Sequence, residues 1–155
     1  MPKPKSGKRE KREKIDNIES TDDYKKEEVE NIERQRIKNT YYKVSPQKQA
    51  RHIEGTKEYE QYKEKSMKSF NKMPSVLYNT ENPQNLIDIY KGTGVIKRVK
   101  DGTIREFIQA DHGIGMYWES NKSEYISTNV ACIIYSKKDA HIYPVWEGKI
   151  KNEGK

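Results

Sequence analysis

His52, His112 and His141 are the three histidines of the chain, and theirs are the side chains whose ordinary titration falls near neutral pH. Cleaving RNA without a metal needs one group to take the 2′-hydroxyl proton and another to protonate the leaving oxygen. It also needs cations around the phosphate, and His, Glu, Lys and Tyr serve in these roles. The three histidines are dispersed. His52 reads as helical, His112 sits in the turn-rich Asp111-His112-Gly113-Ile114-Gly115, and His141 opens a strand. There is no H-E-x-x-H, no cysteine pair and no acidic cluster of the two-metal kind, so neither a metal nor a cofactor is expected. The single cysteine, Cys132, lies in the run Val130-Ala131-Cys132-Ile133-Ile134 and reads as core. Gly92-Thr93-Gly94 follows a helix and lacks a Gly-Lys-Ser/Thr ending, which makes it a helix stop and not a phosphate loop. The 11 tyrosines, with Trp118 and Trp146, offer stacking surfaces for bases. Many of them must fill the interior, because there are only two phenylalanines.

The charge around these residues is uneven. The chain has 155 residues, of which 32% are hydrophobic and 35% charged, so it supports one ordinary core over part of its length. Of the net charge of +7, much sits in residues 1–14, with seven Lys/Arg against two Glu. Lys3, Lys5, Lys8, Arg9, Lys11 and Arg12 form a cluster that attracts polyanions by releasing their counterions. No run approaches the roughly 20 apolar residues of a membrane span, and no apolar run follows the basic start. A cytoplasmic protein without membrane contact is expected.

The elements that must position the histidines can be read in order. Residues 1–20 lack hydrophobic periodicity and read as a disordered basic arm. Residues 21–44 read as a charged helix or linker with a thin stripe of Val29, Ile32 and Ile37, residues 45–147 as the folded domain, and 148–155 as a tail. Ser45-Pro46 opens a short helix carrying Gln49, His52 and Ile53. Thr56 opens a second, with Tyr59, Tyr62 and Phe70 inward, and Asn82-Pro83 opens a third that stops at Gly92. Past Gly94 the period becomes two, and Asp101-Gly102 predicts a two-residue hairpin turn. That turn sets Val99 against Ile104, Lys97 against Glu106 and Val95 against Ile108, with Arg98 directly across from Arg105. Like charges so placed suit an anion between them, which makes Arg98, Lys100 and Arg105 a candidate phosphate face. Residues 126–136 read as a buried strand and 141–146 as its hairpin partner, with Pro144 marking an edge. The order predicts an α+β fold, helices first and then an antiparallel sheet of about four strands.

Several segments taken together carry a family likeness: Gln49-Ala50-Arg51-His52-Ile53-Glu54-Gly55-Thr56, Tyr90-Lys91-Gly92-Thr93-Gly94, Arg105-Glu106-Phe107-Ile108, Tyr135-Ser136-Lys137-Lys138 and His141-Ile142-Tyr143-Pro144. Over residues 46–146 the chain resembles the polymorphic-toxin type 50 domain. The resemblance implies the fold of the barnase, EndoU, colicin and RelE ribonucleases. It also implies a setting in minor head proteins of tailed phages of Gram-positive bacteria. From it the expected function is a phage minor head (capsid) protein of the virion, holding DNA, or RNA, nonspecifically through the arm and the Arg98, Lys100, Arg105 and Lys137 cations. Portal or capsid proteins and a second copy of the chain are the expected partners. The alternatives are a metal-independent endoribonuclease with His52, Tyr135, Lys137 and His141 as catalytic residues, and a structural protein docking on the portal. The resemblance further implies that Thr128 and Ser136 line the cleft. In one place the chain departs from the family pattern: Ile133-Ile134-Tyr135-Ser136 stands where Ile-His-Tyr-Ser is common, leaving His141 or His112 to supply a second imidazole.

Overall fold

The computed structural model describes residues 18–99 and 103–153. The basic arm over 1–17, the turn residues Lys100, Asp101 and Gly102, and the last two residues lie outside that part, and with them the expected arm cations and the hairpin turn. The chain divides into two units, 1–33 and 34–155. Helix α1 (Ile18–Lys38) starts three residues ahead of the expected Thr21 and has residues in both units; Val29 and Ile32, in the first, stand exposed on it.

In the second unit each of three helices begins at a side chain that accepts from the backbone N–H three residues on. Ser45 caps α2 (Pro46–Ala50), Thr56 caps α3 (Lys57–Phe70) and Asn82 caps α4 (Pro83–Tyr90). Pro46 and Pro83 occupy the first turns, where a missing N–H costs nothing. Beyond α4 the chain turns through Gly92 at φ +80°, a conformation that a Cβ disfavours. Phe70, expected to point inward, is exposed at the end of α3.

The strands form two sheets instead of one of about four strands. Strands β1 (Lys43–Val44), β3 (Val95–Arg98), β4 (Ile104–Gln109), β7 (Val130–Tyr135) and β8 (Asp139–Pro144) make a five-stranded sheet in the order β1-β8-β7-β4-β3. Strands β2 (Val76–Leu77), β5 (Gly115–Glu119) and β6 (Glu124–Thr128) make a three-stranded sheet in the order β2-β5-β6. β1 runs parallel to β8, and the other pairings are antiparallel. The strand expected over 126–136 breaks at Asn129. There the Thr128 hydroxyl donates to Val145 O and accepts from Val130 N, and the chain crosses from the smaller sheet to the larger. A short helix, α5 (Gly148–Glu153), takes up most of the expected tail.

One face of the larger sheet carries Ile96, Ile104, Ile108, Ile133, Tyr135 and Ile142. These pack with Ile37, Tyr42, Leu86 and Ile87 in a single core. Each such side chain contributes about 1.5–3 kcal/mol by leaving water. The β3–β4 register differs from expectation by one residue. Val95 pairs with Phe107, Ile96 with Glu106, Lys97 with Arg105 and Arg98 with Ile104. Val99 N donates to Thr103 O, so residues 100–102, not a two-residue turn, separate the strands. A slip of one residue exchanges the faces of every side chain on a strand. Arg98 and Arg105 therefore lie on opposite faces, and the proposed anion between them has no place in this ribbon. Glu106 faces Ile96 and not Lys97. It is fully buried and accepts from Gly92 N, Gly94 N and the Tyr135 hydroxyl at 2.9, 2.7 and 2.6 Å.

Candidate active site

The face opposite the core collects the polar chemistry. The link that builds it is Gln49, a buried residue of α2. Its side-chain amide accepts from Ile142 N and donates to Ile142 O, both at 2.8 Å, and so continues the edge of β8 beyond the point where β1 ends. Pro144, further along that outer edge, needs no partner for a missing N–H.

Docked in this way, α2 delivers His52 to β8. His52 Nδ1 lies 3.0 Å from Ser75 O and 3.3 Å from Ser75 Oγ. A carbonyl only accepts, so Nδ1 carries the proton and Nε2 keeps its lone pair. The ring stacks on Tyr143 at 5.0 Å and 16°, meets Tyr62 edge-on at 5.5 Å, and lies 6.3 Å from His141 at an interplanar angle of 13°. Burial lowers the His52 pKa to about 4, against the raising effect of the Ser75 carbonyl and with a smaller lowering from Arg51. His141 is also lowered to about 4, first by burial and then by repulsion from His52, Lys48 and Arg51, while Asp139 acts in the opposite direction. Both imidazoles are neutral at pH 7.

A row of register partners crosses the larger sheet on this face: Lys97, Arg105, Ile134 and His141. Arg105 is exposed and makes no ion pair among the described residues. Ile134 lies between Arg105 and His141 in this row. Asp139 shares the face with His141, and its Oδ1 is buried with no hydrogen-bond partner among the described residues. Two recesses lie nearby, of which His52 lines one and His141 neither. One, of about 600 Å³, has His52, Ser75, Tyr62, Tyr143, Trp118 and Trp146 among its lining residues. The second, of about 650 Å³, is lined by Arg51, Lys57, Lys65 and Glu58, and Tyr62 forms a wall of both.

Of the expected catalytic residues, His52 and His141 are brought together. Tyr135 is not with them. It lies on the core face, buried, and its hydroxyl donates to Glu106, because residues 135 and 134 alternate across the sheet. Lys137 is exposed in the β7–β8 connection, Ser136 N donates to Asp139 O in the same connection, and Thr128 is tied to Val145. His112 is engaged elsewhere, with Nδ1 2.6 Å from Asp111 and Nε2 3.0 Å from Glu81. These two carboxylates raise its pKa, Asp111 the more. Sequence reasoning missed Tyr143, Tyr62, Ser75, Arg51 and Gln49. Tyr143 was within reach, since period two puts it on the face of His141. Among the described residues no group of three or more His, Cys, Asp or Glu side chains is arranged to hold a metal ion.

A family model described as bacterial toxin 50 matches residues 44–144, a span that contains the histidine pair, Gln49, Tyr143 and the whole cross-sheet row. No curated protein and no solved structure matches the chain.

Proposed function

Since the chain belongs to the bacterial toxin 50 family, we propose that its domain is a toxin-like nuclease that cleaves RNA without a metal, with His52 as general base and His141 as general acid. The observation that carries this reading is the pair itself: two buried imidazoles 6.3 Å apart, one with a lone pair fixed on Nε2. In the proposed step His52 Nε2 takes the proton of a ribose 2′-hydroxyl, and the oxygen attacks the adjacent phosphorus. The bond to the 5′-oxygen breaks and His141 protonates that oxygen, leaving a 2′,3′-cyclic phosphate and a 5′-hydroxyl. Arg51 and Arg105 meet the charge that grows on the phosphoryl oxygens. A bound phosphate raises both histidine pKa values from about 4 toward the range in which proton transfer is efficient, and Asp139 helps His141 to hold the proton it delivers. The helices and antiparallel strands suit the ribonuclease folds that the family likeness implies.

A phage head protein holding DNA would rest on the charge of residues 1–14. The family match reports a toxin domain alone, and the ribbon half of that expectation fell with the register of β3 and β4. The test is incubation of the pure protein with RNA and with DNA in EDTA. RNA ends with cyclic phosphate are expected, with DNA uncut and the rate lowered about 10²–10⁴-fold in His52→Ala. RNA left intact at high protein concentration would reject the reading.

A further inference from the structure

Trp118 and Trp146 are the only tryptophans of the chain, and both line the 600 Å³ recess beside His52. Neither ring is loosely held. Trp118 stands edge-on to Tyr125 at 5.1 Å, and the Tyr125 hydroxyl donates to Pro74 O at 2.9 Å, next to the Ser75 that holds His52. The Trp146 indole lies over Gly148, where a Cβ would come within 2.3 Å of the ring, so its seat exists because residue 148 has no side chain. With the ring seated there, Trp146 is still 48% exposed, a flat apolar surface open to the recess. Lys72 and Lys149 are among the lining residues, against the single carboxylate Glu119. Seated aromatic planes with cations around them are the chemistry that takes a nucleobase and its phosphate.

We infer that this recess is a nucleobase subsite that takes one unpaired base of a single-stranded RNA, the base next to the ribose presented to His52. The inference rests on the nuclease reading and adds the substrate class to it. A base inside a duplex is paired and covered by its neighbours, so only an unpaired base can lie against the indoles. Stacking on an aromatic plane tolerates any base, and the subsite therefore selects strandedness before sequence.

The probe is a fluorescently labelled 2′-fluoro RNA oligonucleotide, which lacks the attacking hydroxyl and is not cut. It is used single-stranded, annealed to its complement, and with abasic positions. The expected result is saturable quenching of the intrinsic tryptophan fluorescence by the single strand. By anisotropy, affinity should be roughly ten-fold or more lower for the duplex, for the abasic strand and for Trp146→Ala. Gly148→Ala, whose Cβ would displace the Trp146 indole from its seat without touching the core, should reproduce the loss. Equal affinity for single strand and duplex, or for wild type and Trp146→Ala, would overturn the subsite. The two readings separate cleanly. RNA cut to cyclic ends without preference for single strands leaves the nuclease and removes the subsite. Strand-selective quenching by a protein that leaves RNA intact does the reverse.

Discussion

Tyr135 and Tyr143 lie on neighbouring strands and serve opposite faces of one sheet. Tyr143 stacks on His52, whereas Tyr135 gives its proton to the buried carboxylate of Glu106. Burial raises the pKa of both phenols, and beside Tyr135 the Glu106 charge raises it further, so both stay protonated and act as donors. The work of Tyr135 is thus to help hold Glu106, which in turn holds the 92–94 turn through two backbone N–H groups. Tyr135→Phe removes one hydrogen bond to a charged acceptor and should cost about 1.5–3 kcal/mol in a denaturant melt. RNA cleavage by the folded variant should stay close to wild type. Loss of cleavage in a folded Tyr135→Phe protein would mean that the phenol reaches the chemistry after all.

Among the elements, α2 decides where His52, the proposed general base, sits, and it does so through Gln49. Gln49→Leu keeps the approximate volume but leaves Ile142 N–H and C=O buried without partners, at about 2–4 kcal/mol. Because His52 follows on the next turn, cleavage should fall along with stability. A variant as stable as wild type by chemical denaturation would show that the amide is not the strut. The same element shows what a sequence can carry. Ser45, Thr56 and Asn82 close hydrogen bonds to residues three positions on, so a short window contains the whole cause of each helix start. Gln49 bonds a residue 93 positions away, and no local pattern marks that. The β3–β4 register turned on one residue of loop length, and Asp-Gly suits both a two-residue turn and a longer one. The break at Asn129 escaped a reading by hydropathy because Ser127-Thr128-Asn129 leads straight into the apolar run Val130–Tyr135 with no glycine or proline to mark a stop. Of the site, the two histidines were legible by residue type, and their meeting across α2 and β8 was not.

For the whole molecule, burying a neutral histidine pair ties folding to pH, and the sign follows from proton counts. Unfolded imidazoles titrate near 6.5, and in the fold His52 and His141 titrate near 4, so between those values the unfolded chain binds more protons. Stability should be flat above about pH 7 with respect to these groups. It should fall as pH drops from 6.5 toward 4 and lose nothing further to them below. His112 works in the opposite sense. Its pKa is raised by Asp111 and Glu81, so its contribution is complete below 6.5 and fades as pH rises through the raised value. It lies on the exposed surface, where solvent and salt screen such pairs, so the buried pair should dominate the acid limb. Urea melts at pH 7.5 and pH 5 should show the midpoint drop at the lower pH, and a His52→Gln, His141→Gln double variant should lose most of that drop. Adding the uncleavable RNA probe at pH 5 should restore stability more than adding it at pH 7.5, because a phosphate favours the protonated imidazoles that the empty site resists. Equal midpoints at the two pH values in wild type would mean that the pair is not held neutral, and the proton economy assigned to the reaction would go with it.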